Sequence, residues 1–243
     1  MLRWIMRVSE RAMERSYNQF CPVAMAAEVL CSRWTVVLLR ELLAGSTRFN
    51  DLRRGLPRMS PALLSQRLKG LEEVGIVERR PVPGEPAIHE YALTEAGREL
   101  QPLVESFGKW GQRWIPSKLS LEQLDAQLLM WDMRRGLRFE PPPSRRLVIQ
   151  FQYPDARPRE RSWWLIVEPG HPVDLCSVDP GHNVDFYVTA PLRTMTAIWM
   201  GIETVRGARA SGDLMLTGDR ELIATMERWL GLSPFAAEQR RVA

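Results

Sequence analysis

Residues 48–80 read RFNDLRRGLPRMSPALLSQRLKGLEEVGIVERR, and their spacing predicts two short helices, a capped longer helix and the start of a basic strand. Ser60 offers a side-chain oxygen at an N-cap, and Pro61 suits the first helical turn, where its missing N–H leaves no bond unmade. Leu64, Leu68 and Leu71 recur at i, i+4 and i+7, which gives this helix one apolar stripe. Advancing about 100° per residue from Leu64 sets Ala62, Ser65, Gln66, Lys69 and Glu73 on the opposite face, with Arg67 on the flank. That face is small, amide-bearing and basic. It suits a major groove, where Gln pairs bidentately with adenine, Lys reaches guanine, and Ser donates or accepts at several bases. An ordinary amphipathic surface helix would carry such a face too, so the flanking residues decide.

Upstream lie Arg48, Arg53, Arg54 and Arg58, and from Arg48 through Lys69 six basic residues face one acid, Asp51. Guanidinium groups around a groove-sized helix are what phosphate contacts need to hold register on a duplex. Gly75 closes the helix. Ile76 to Arg80 then alternates as a strand carrying Arg79 and Arg80, residues 81–86 make a Pro-rich turn, and Ile88 to Leu93 returns as a second strand. Helix, helix and hairpin in this order make a winged helix-turn-helix.

Further stretches extend the pattern: Cys21-Pro22-Val23, Arg33-Trp34-Thr35, Leu39-Arg40-Glu41-Leu42, Arg48-Phe49-Asn50-Asp51-Leu52, Ser60-Pro61, Leu64 to Leu68, Gly75-Ile76-Val77 and Tyr91-Ala92-Leu93-Thr94. Together they resemble the HxlR-type branch of winged-helix transcription regulators, relatives of the MarR group, over about residues 20–115. The resemblance implies a homodimer on a double-stranded DNA operator. It implies that a first helix within residues 1–20 packs across the dimer interface; a flexible tail, or a start at Met13, is the other reading of that stretch. It also places Cys21 where some HxlR-like regulators carry a cysteine that senses oxidants or electrophiles. Cys21 precedes Pro22 at a helix N-terminus, where the dipole lowers a thiol pKa, although a small buried apolar residue would fit there equally.

Around this centre, Pro22 starts a helix carrying Val23, Ala26, Ala27 and Leu30, and Trp34 opens another with Val37, Leu38 and Leu42 on its apolar side. Thr94 caps a long helix with Leu100, Leu103, Val104, Phe107, Trp110, Gly111 and Trp114 on one stripe. So aromatic a face exceeds the needs of a small domain core and reads as a dimer interface, bent at Pro102. The chain has 243 residues, with 45% hydrophobic and 26% charged content, in the range of a globular protein of one large or two ordinary domains. Residues 1–117 hold 17 Lys+Arg against 13 Asp+Glu, and residues 118–243 hold 16 of each, so the net charge of +4 sits in the helix-turn-helix half. No run approaches the roughly 20 apolar residues of a membrane span, and Leu2 to Met6 is too short for a signal peptide, so a cytoplasmic protein without membrane association is expected.

The second half opens with Ser120-Leu121-Glu122-Gln123, a capping box leading a helix to about Leu137, followed by the rigid Pro141-Pro142-Pro143 spacer. Residues 147–153, 162–168, 173–178 and 184–189 read as four antiparallel strands of a meander. A helix from Pro191 through Val205, a short strand at Asp213 to Thr217 and a closing helix from Asp219 complete it. This order, with Ala210 to Asp219 before the last helix, resembles the sterol-carrier-protein-type fold over residues 145–235. That resemblance implies an apolar tunnel lined by Trp163 or Trp164, Met195, Trp199, Met215, Met226 and Trp229, residue types that suit an adaptable apolar pocket. The same residues at helical spacing also make a plain core, so the domain is either an effector sensor or a packing and dimerisation module.

Other chemistry is sparse. Cys21, Cys31 and Cys176 form no CxxC, His89, His171 and His182 lie at no metal spacing, and Asp174, Asp179 and Asp185 read as solvated turn carboxylates. No phosphate loop or nucleophile elbow is present. No catalytic residue, metal or cofactor is therefore expected. The expectation is an α+β chain: residues 1–117 a winged helix-turn-helix and dimerisation domain, 118–144 a connecting helix and linker, 145–243 a sterol-carrier-like antiparallel sheet with covering helices. As function it is a DNA-binding regulator with an apolar small-molecule effector. The alternatives are a redox regulator using Cys21 with a structural C-terminal domain, and a lipid carrier or small hydrolase on a winged-helix dimer scaffold.

Overall fold

The computed structural model describes residues 16–242. The expected helix within residues 1–20, and Met13, lie outside the described residues except for residues 16–20, which have no regular structure. The chain forms two compact units, Met1–Phe107 and Gly108–Ala243.

The first unit contains helices α1 (Pro22–Leu30), α2 (Thr35–Leu43), α3 (Phe49–Gly55) and α4 (Pro61–Glu73). Strands β1 (Val77–Val82) and β2 (Glu85–Leu93) follow, then α5 (Glu95–Arg98) and the start of α6 (Gln101–Trp114). One short helix, not two, precedes α4: Leu56 leaves the helical region at φ −131°, ψ 56°, because Pro57 disfavours helical backbone in the residue before it. Leu38, Leu52, Leu64 and Leu68 are all buried in one core with Leu39 and Leu56, and each fully buried leucine contributes about 1.5–3 kcal/mol. Trp34 does not lie in the helix it introduces. It caps α2 with φ +79°, a left-handed backbone that costs a bulky residue about 1–3 kcal/mol.

β1 and β2 pair antiparallel from Val77↔Leu93 to Pro81↔His89, and the register shifts at Val82, which faces Glu85 across a turn with Gly84 at φ +81°. The Tyr91 N–H donates to the Thr47 carbonyl at 2.8 Å and fastens the wing to the segment before α3. The Thr94 hydroxyl accepts from Gly97 N–H at 3.2 Å and donates to the Gly75 carbonyl at 2.6 Å. The helix it caps stops at Arg98 and resumes at Gln101. The break precedes Pro102, which has no N–H to give to the preceding turn.

The second unit holds α7 (Ser117–Ser120), α8 (Ala126–Gly136), β3 (Leu147–Gln152), β4 (Ser162–Val167), β5 (Asp174–Cys176) and β6 (Phe186–Thr189). After these come α9 (Leu192–Trp199), α10 (Val205–Ala210), β7 (Met215–Gly218) and α11 (Arg220–Trp229). Its sheet runs β5-β4-β3-β6-β7. The expected antiparallel meander ends after three strands: β6 crosses back to pair parallel with β3, Ile149 beside Phe186 and Phe151 beside Val188, so the sheet is mixed. Asp185 fixes that pairing. Its carboxylate accepts from Val148 N–H at 2.9 Å, and its own N–H donates to the Val148 carbonyl at 3.0 Å. Asp185 is thus more than the solvated turn carboxylate expected.

Two expected helix boundaries also change. Asp125, not Ser120, caps α8, accepting from Leu128 N–H at 3.0 Å; Ser120 ends the one-turn α7. Both residue types cap well, so local pattern alone does not choose. The helix opened by Pro191 divides at Gly201 (φ +69°), and Thr204 caps its second part through Gly207 N–H at 2.9 Å. One sheet face, carrying Ile149, Phe151, Trp163, Leu165, Phe186 and Val188, packs in a single core with Met130 and Met133 of α8, Met195 of α9 and Met226 of α11. The expected connecting helix thus contributes Ala126, Leu129, Met130 and Met133 to this core.

Candidate nucleic-acid interface

The Ser60 hydroxyl accepts from Leu63 N–H at 3.3 Å and starts α4 behind Pro61. Leu64, Leu68 and Leu71 are buried, which turns Ala62, Ser65, Gln66 and Lys69 outward, and all four are exposed. The Lys69 ammonium lies 3.9 Å from Glu73 along the same face, an exposed i,i+4 pair that contributes about 0.3–0.5 kcal/mol and exchanges readily for a phosphate or a base edge. Arg67 differs from its neighbours. It is half-buried, and its Nε donates to the Arg33 carbonyl at 3.2 Å, so it ties α4 to the α1–α2 connection.

Around α4, Arg48, Arg53, Arg54 and Arg58 are exposed. Arg54 lies 3.4 Å from Asp51, and Arg48 lies 3.7 Å from Glu85 at the tip of the wing. On β1, Arg79 is exposed, and the Arg80 Nε donates to Glu90 at 2.8 Å. The wing glutamates Glu85 and Glu90 were not singled out in the sequence, although cross-strand placement opposite an arginine is the signal that finds Glu90. Desolvation of Tyr91 raises its pKa, opposed by the nearby Arg79 guanidinium.

A second residue missed in the sequence is Glu41. It is fully buried, pairs with Arg40 at 3.2 Å and accepts from the buried Ser46 hydroxyl at 2.7 Å. Arg40 also donates to the Gly55 carbonyl at 3.1 Å. A Cβ at Gly55 would collide with the Glu41 carboxylate. This group fixes where α3 ends against α2, and with it the turn into α4.

Beyond the helix-turn-helix, α6 exposes Leu103, Phe107, Trp110 and Trp114, spaced i, i+4, i+7 and i+11 on one face, by 43–61%. Tyr17, Phe20, Val23 and Met25 are exposed as well. Cys21, Cys31 and Cys176 form no disulfide among the described residues. The backbone N–H groups of Ala24 and Val23 at the start of α1 lower the pKa of the Cys21 thiol, although no side-chain hydrogen bond caps the helix there.

The residues expected around a tunnel divide between the second core, the alternate strand face and the surface. Trp163, Met195, Met226 and Trp229 are buried members of the second core. Trp164 is buried but falls at the alternate strand position, opposite Gln150. Trp199 is half-buried against Gly136, and Met215 is exposed on the edge strand. Trp229 also lines a groove of about 640 Å³. Among the described residues no cluster of three or more His, Cys, Asp or Glu is placed to hold a metal ion, and no single helix is long and apolar enough to cross a membrane.

Residues 29–119 match the HxlR-like helix-turn-helix family. Over 99 residues the chain is 38% identical to the HTH-type transcriptional regulator YvaP of Bacillus subtilis, covering 40% of this chain and 92% of that protein. It is 43% identical over 96 residues to the HTH-type transcriptional regulator Rv3095 of Mycobacterium tuberculosis, covering 39% of this chain and 59% of that one. Among solved structures, the redox regulator HypR in its reduced form is 36% identical over 38% of this chain and 91% of its own, with a TM-score of 0.36. On the family match and the likeness to YvaP, the chain belongs to the HxlR-like helix-turn-helix family of transcriptional regulators.

Proposed function

We propose that this protein is a cytoplasmic, dimeric, sequence-specific transcriptional regulator that reads an operator with α4 and responds to an effector held by its second unit. The observation that carries the reading is the outward face of α4: Ala62, Ser65, Gln66 and Lys69 are all exposed, with the exposed Arg53, Arg54 and Arg58 in the segment leading into it. A two-fold dimer presents two such helices about 34 Å apart to a pseudo-palindromic site. Arg48 and Arg80 serve phosphates once their glutamate partners exchange for the duplex, and the exposed Arg79 stands beside them.

The second unit fits a sterol-carrier-like reading in having a sheet with helices packed on one face, and Trp163, Met195, Met226 and Trp229 lie buried in the core between them. An effector regulates only by binding one dimer geometry better than another. The rival reading, a carrier or small hydrolase on a winged-helix scaffold, makes no demand on α4. Gln66→Ala with Lys69→Ala separates the two. Both side chains are exposed, so folding is retained, and discrimination between duplexes should fall by about 1–3 kcal/mol per lost base contact. An unchanged sequence preference in a competition assay would sink the assignment of α4.

A redox reading rests on Cys21, whose thiol pKa is lowered by the Ala24 and Val23 backbone N–H groups at the N-terminus of α1. The thiolate, the nucleophilic form, then forms at lower pH than usual. Iodoacetamide labelling of Cys21, followed by peptide mass spectrometry across pH, should reach half its plateau rate below the ordinary thiol value of 9.0. A midpoint at or above 9.0 removes this reading.

A further inference from the structure

The second unit contains a groove of about 640 Å³ between the segment Arg138–Leu147 and helix α11, within the range of small-molecule pockets. One wall is apolar: Phe139 stacks on Trp229 with ring centroids 5.5 Å apart and planes 13° apart, and Leu147 and Leu222 line the groove beside them. Of the charged groups that line it, two are already committed. Asp219 caps α11 through the Glu221 and Leu222 N–H groups at 2.8 and 3.1 Å, and Arg145 pairs with Asp185 at 2.7 Å.

Arg138 and Arg228 are exposed, and neither has a carboxylate partner among the described residues. Both stand at the aromatic end: Arg228 directly precedes Trp229, and the Arg138 N–H donates to the Trp229 carbonyl at 2.8 Å. Glu221 lies seven residues before Arg228 on α11, about 10 Å along the helix axis, and Glu140 is exposed on the Pro-rich wall. The half-buried Phe139 ring, backed by the buried Trp229 and flanked by two guanidiniums without a carboxylate partner among the described residues, is complementary to a molecule with a ring and an acid group, because guanidinium–carboxylate bonds are charge-assisted and geometrically matched.

The same helix leads to the dimerisation candidate. After Trp229 the chain continues as a tail that grips the second half of α6. The Ser233 N–H donates to the Trp199 carbonyl at 2.9 Å, and the Phe235 ring fills the space that any side chain at position 108 would need. Glu238 accepts from Arg113 Nε at 2.8 Å, Arg240 donates to the Ile115 carbonyl at 2.9 Å, and the Arg241 N–H donates to the Arg113 carbonyl at 2.7 Å. Gln112 is buried beneath this strap and donates to the Met200 carbonyl at 3.0 Å. A shift of α11 at the groove is therefore delivered through the strap to the part of α6 that carries Trp110 and Trp114.

We propose that this groove is the effector site, that it takes a small amphipathic organic anion, an aromatic or aliphatic carboxylate or sulfonate, and that the C-terminal strap conveys its occupancy to α6. This rests on the reading of the protein as an effector-controlled regulator. The test uses the full chain and the aromatic sulfonate anilinonaphthalene sulfonate, followed by its fluorescence. Saturable binding of one probe per chain is expected, weakened by about tenfold or more in Arg138→Ala/Arg228→Ala and in the charge reversal Arg228→Glu. The exposed Arg159→Ala, outside the groove, should bind the probe as the wild type does. Absence of saturable binding, or equal binding by the groove variants, overturns the site.

For the strap, the probe should change wild-type affinity for a duplex selected from random sequence by the protein itself. Phe235→Ala should bind the probe unchanged while losing that effect; a preserved effect overturns the coupling. Should the wild type select no duplex, the regulator reading fails, and the probe titration still judges the groove independently.

Discussion

Replacing Glu41 by alanine should cost the first unit about 3 kcal/mol of stability and abolish DNA binding with it. The carboxylate is fully buried, and its removal strips the buried Ser46 hydroxyl of its 2.7 Å acceptor and Arg40 of its 3.2 Å counter-charge. Breaking a buried ion pair by removing one partner typically costs 3–5 kcal/mol. The lower end applies here because Arg40 keeps 31% side-chain exposure and can regain water. A cavity between α2 and Gly55 adds to the loss. Arg40→Ala should cost less, since it leaves a buried carboxylate that can take up a proton. Urea unfolding followed by circular dichroism measures both; a Glu41→Ala loss below about 1 kcal/mol would show that this group does not hold α3 against α2.

The second large effect is expected at α6. Trp110→Glu should turn a dimer into a monomer at micromolar concentration, weakening association by more than a hundredfold. Buried aromatic anchors contribute about 2–4 kcal/mol each at interface centres, and two-fold symmetry places the substitution twice in every interface. Leu103, Phe107, Trp110 and Trp114 form an exposed aromatic stripe that the proposed dimer would cover. Trp110 is 61% exposed in the single chain, so the fold of the protomer should survive and the change should be confined to assembly. Sedimentation velocity reads the outcome directly. A variant that remains dimeric, or a wild type that is already monomeric, would take the stripe out of the interface.

The helix-turn-helix was legible because its signals are local. Ser60 and Pro61 start α4, three leucines set its buried face, and the exposed face follows from the helical period alone. Thr94 and Asp219 announce their helices through oxygens that reach N–H groups two or three residues away. Arg67 shows where this reasoning stops, since only the approach of the Arg33 carbonyl, 34 residues earlier, separates an anchoring guanidinium from the exposed ones. In the same way Ser120 and Asp125 are equivalent as caps until the packing of α7 and α8 chooses between them.

By itself, the sequence determined the order of most elements, the basic first half, α4 with its exposed polar face and the aromatic face of α6, because each depends on residue type and spacing within a few turns. The tertiary structure alone decided the parallel pairing of β6 with β3, the burial of Glu41 against Gly55, the burial of Met195, Met226 and Trp229 in the second core, and the strap from Phe235 to Arg241 on α6. Each of these joins residues far apart in the chain. A strand's alternation is the same beside a parallel or an antiparallel neighbour, and a carboxylate's partners are set by whichever distant segment excludes its water, so local pattern holds no record of them.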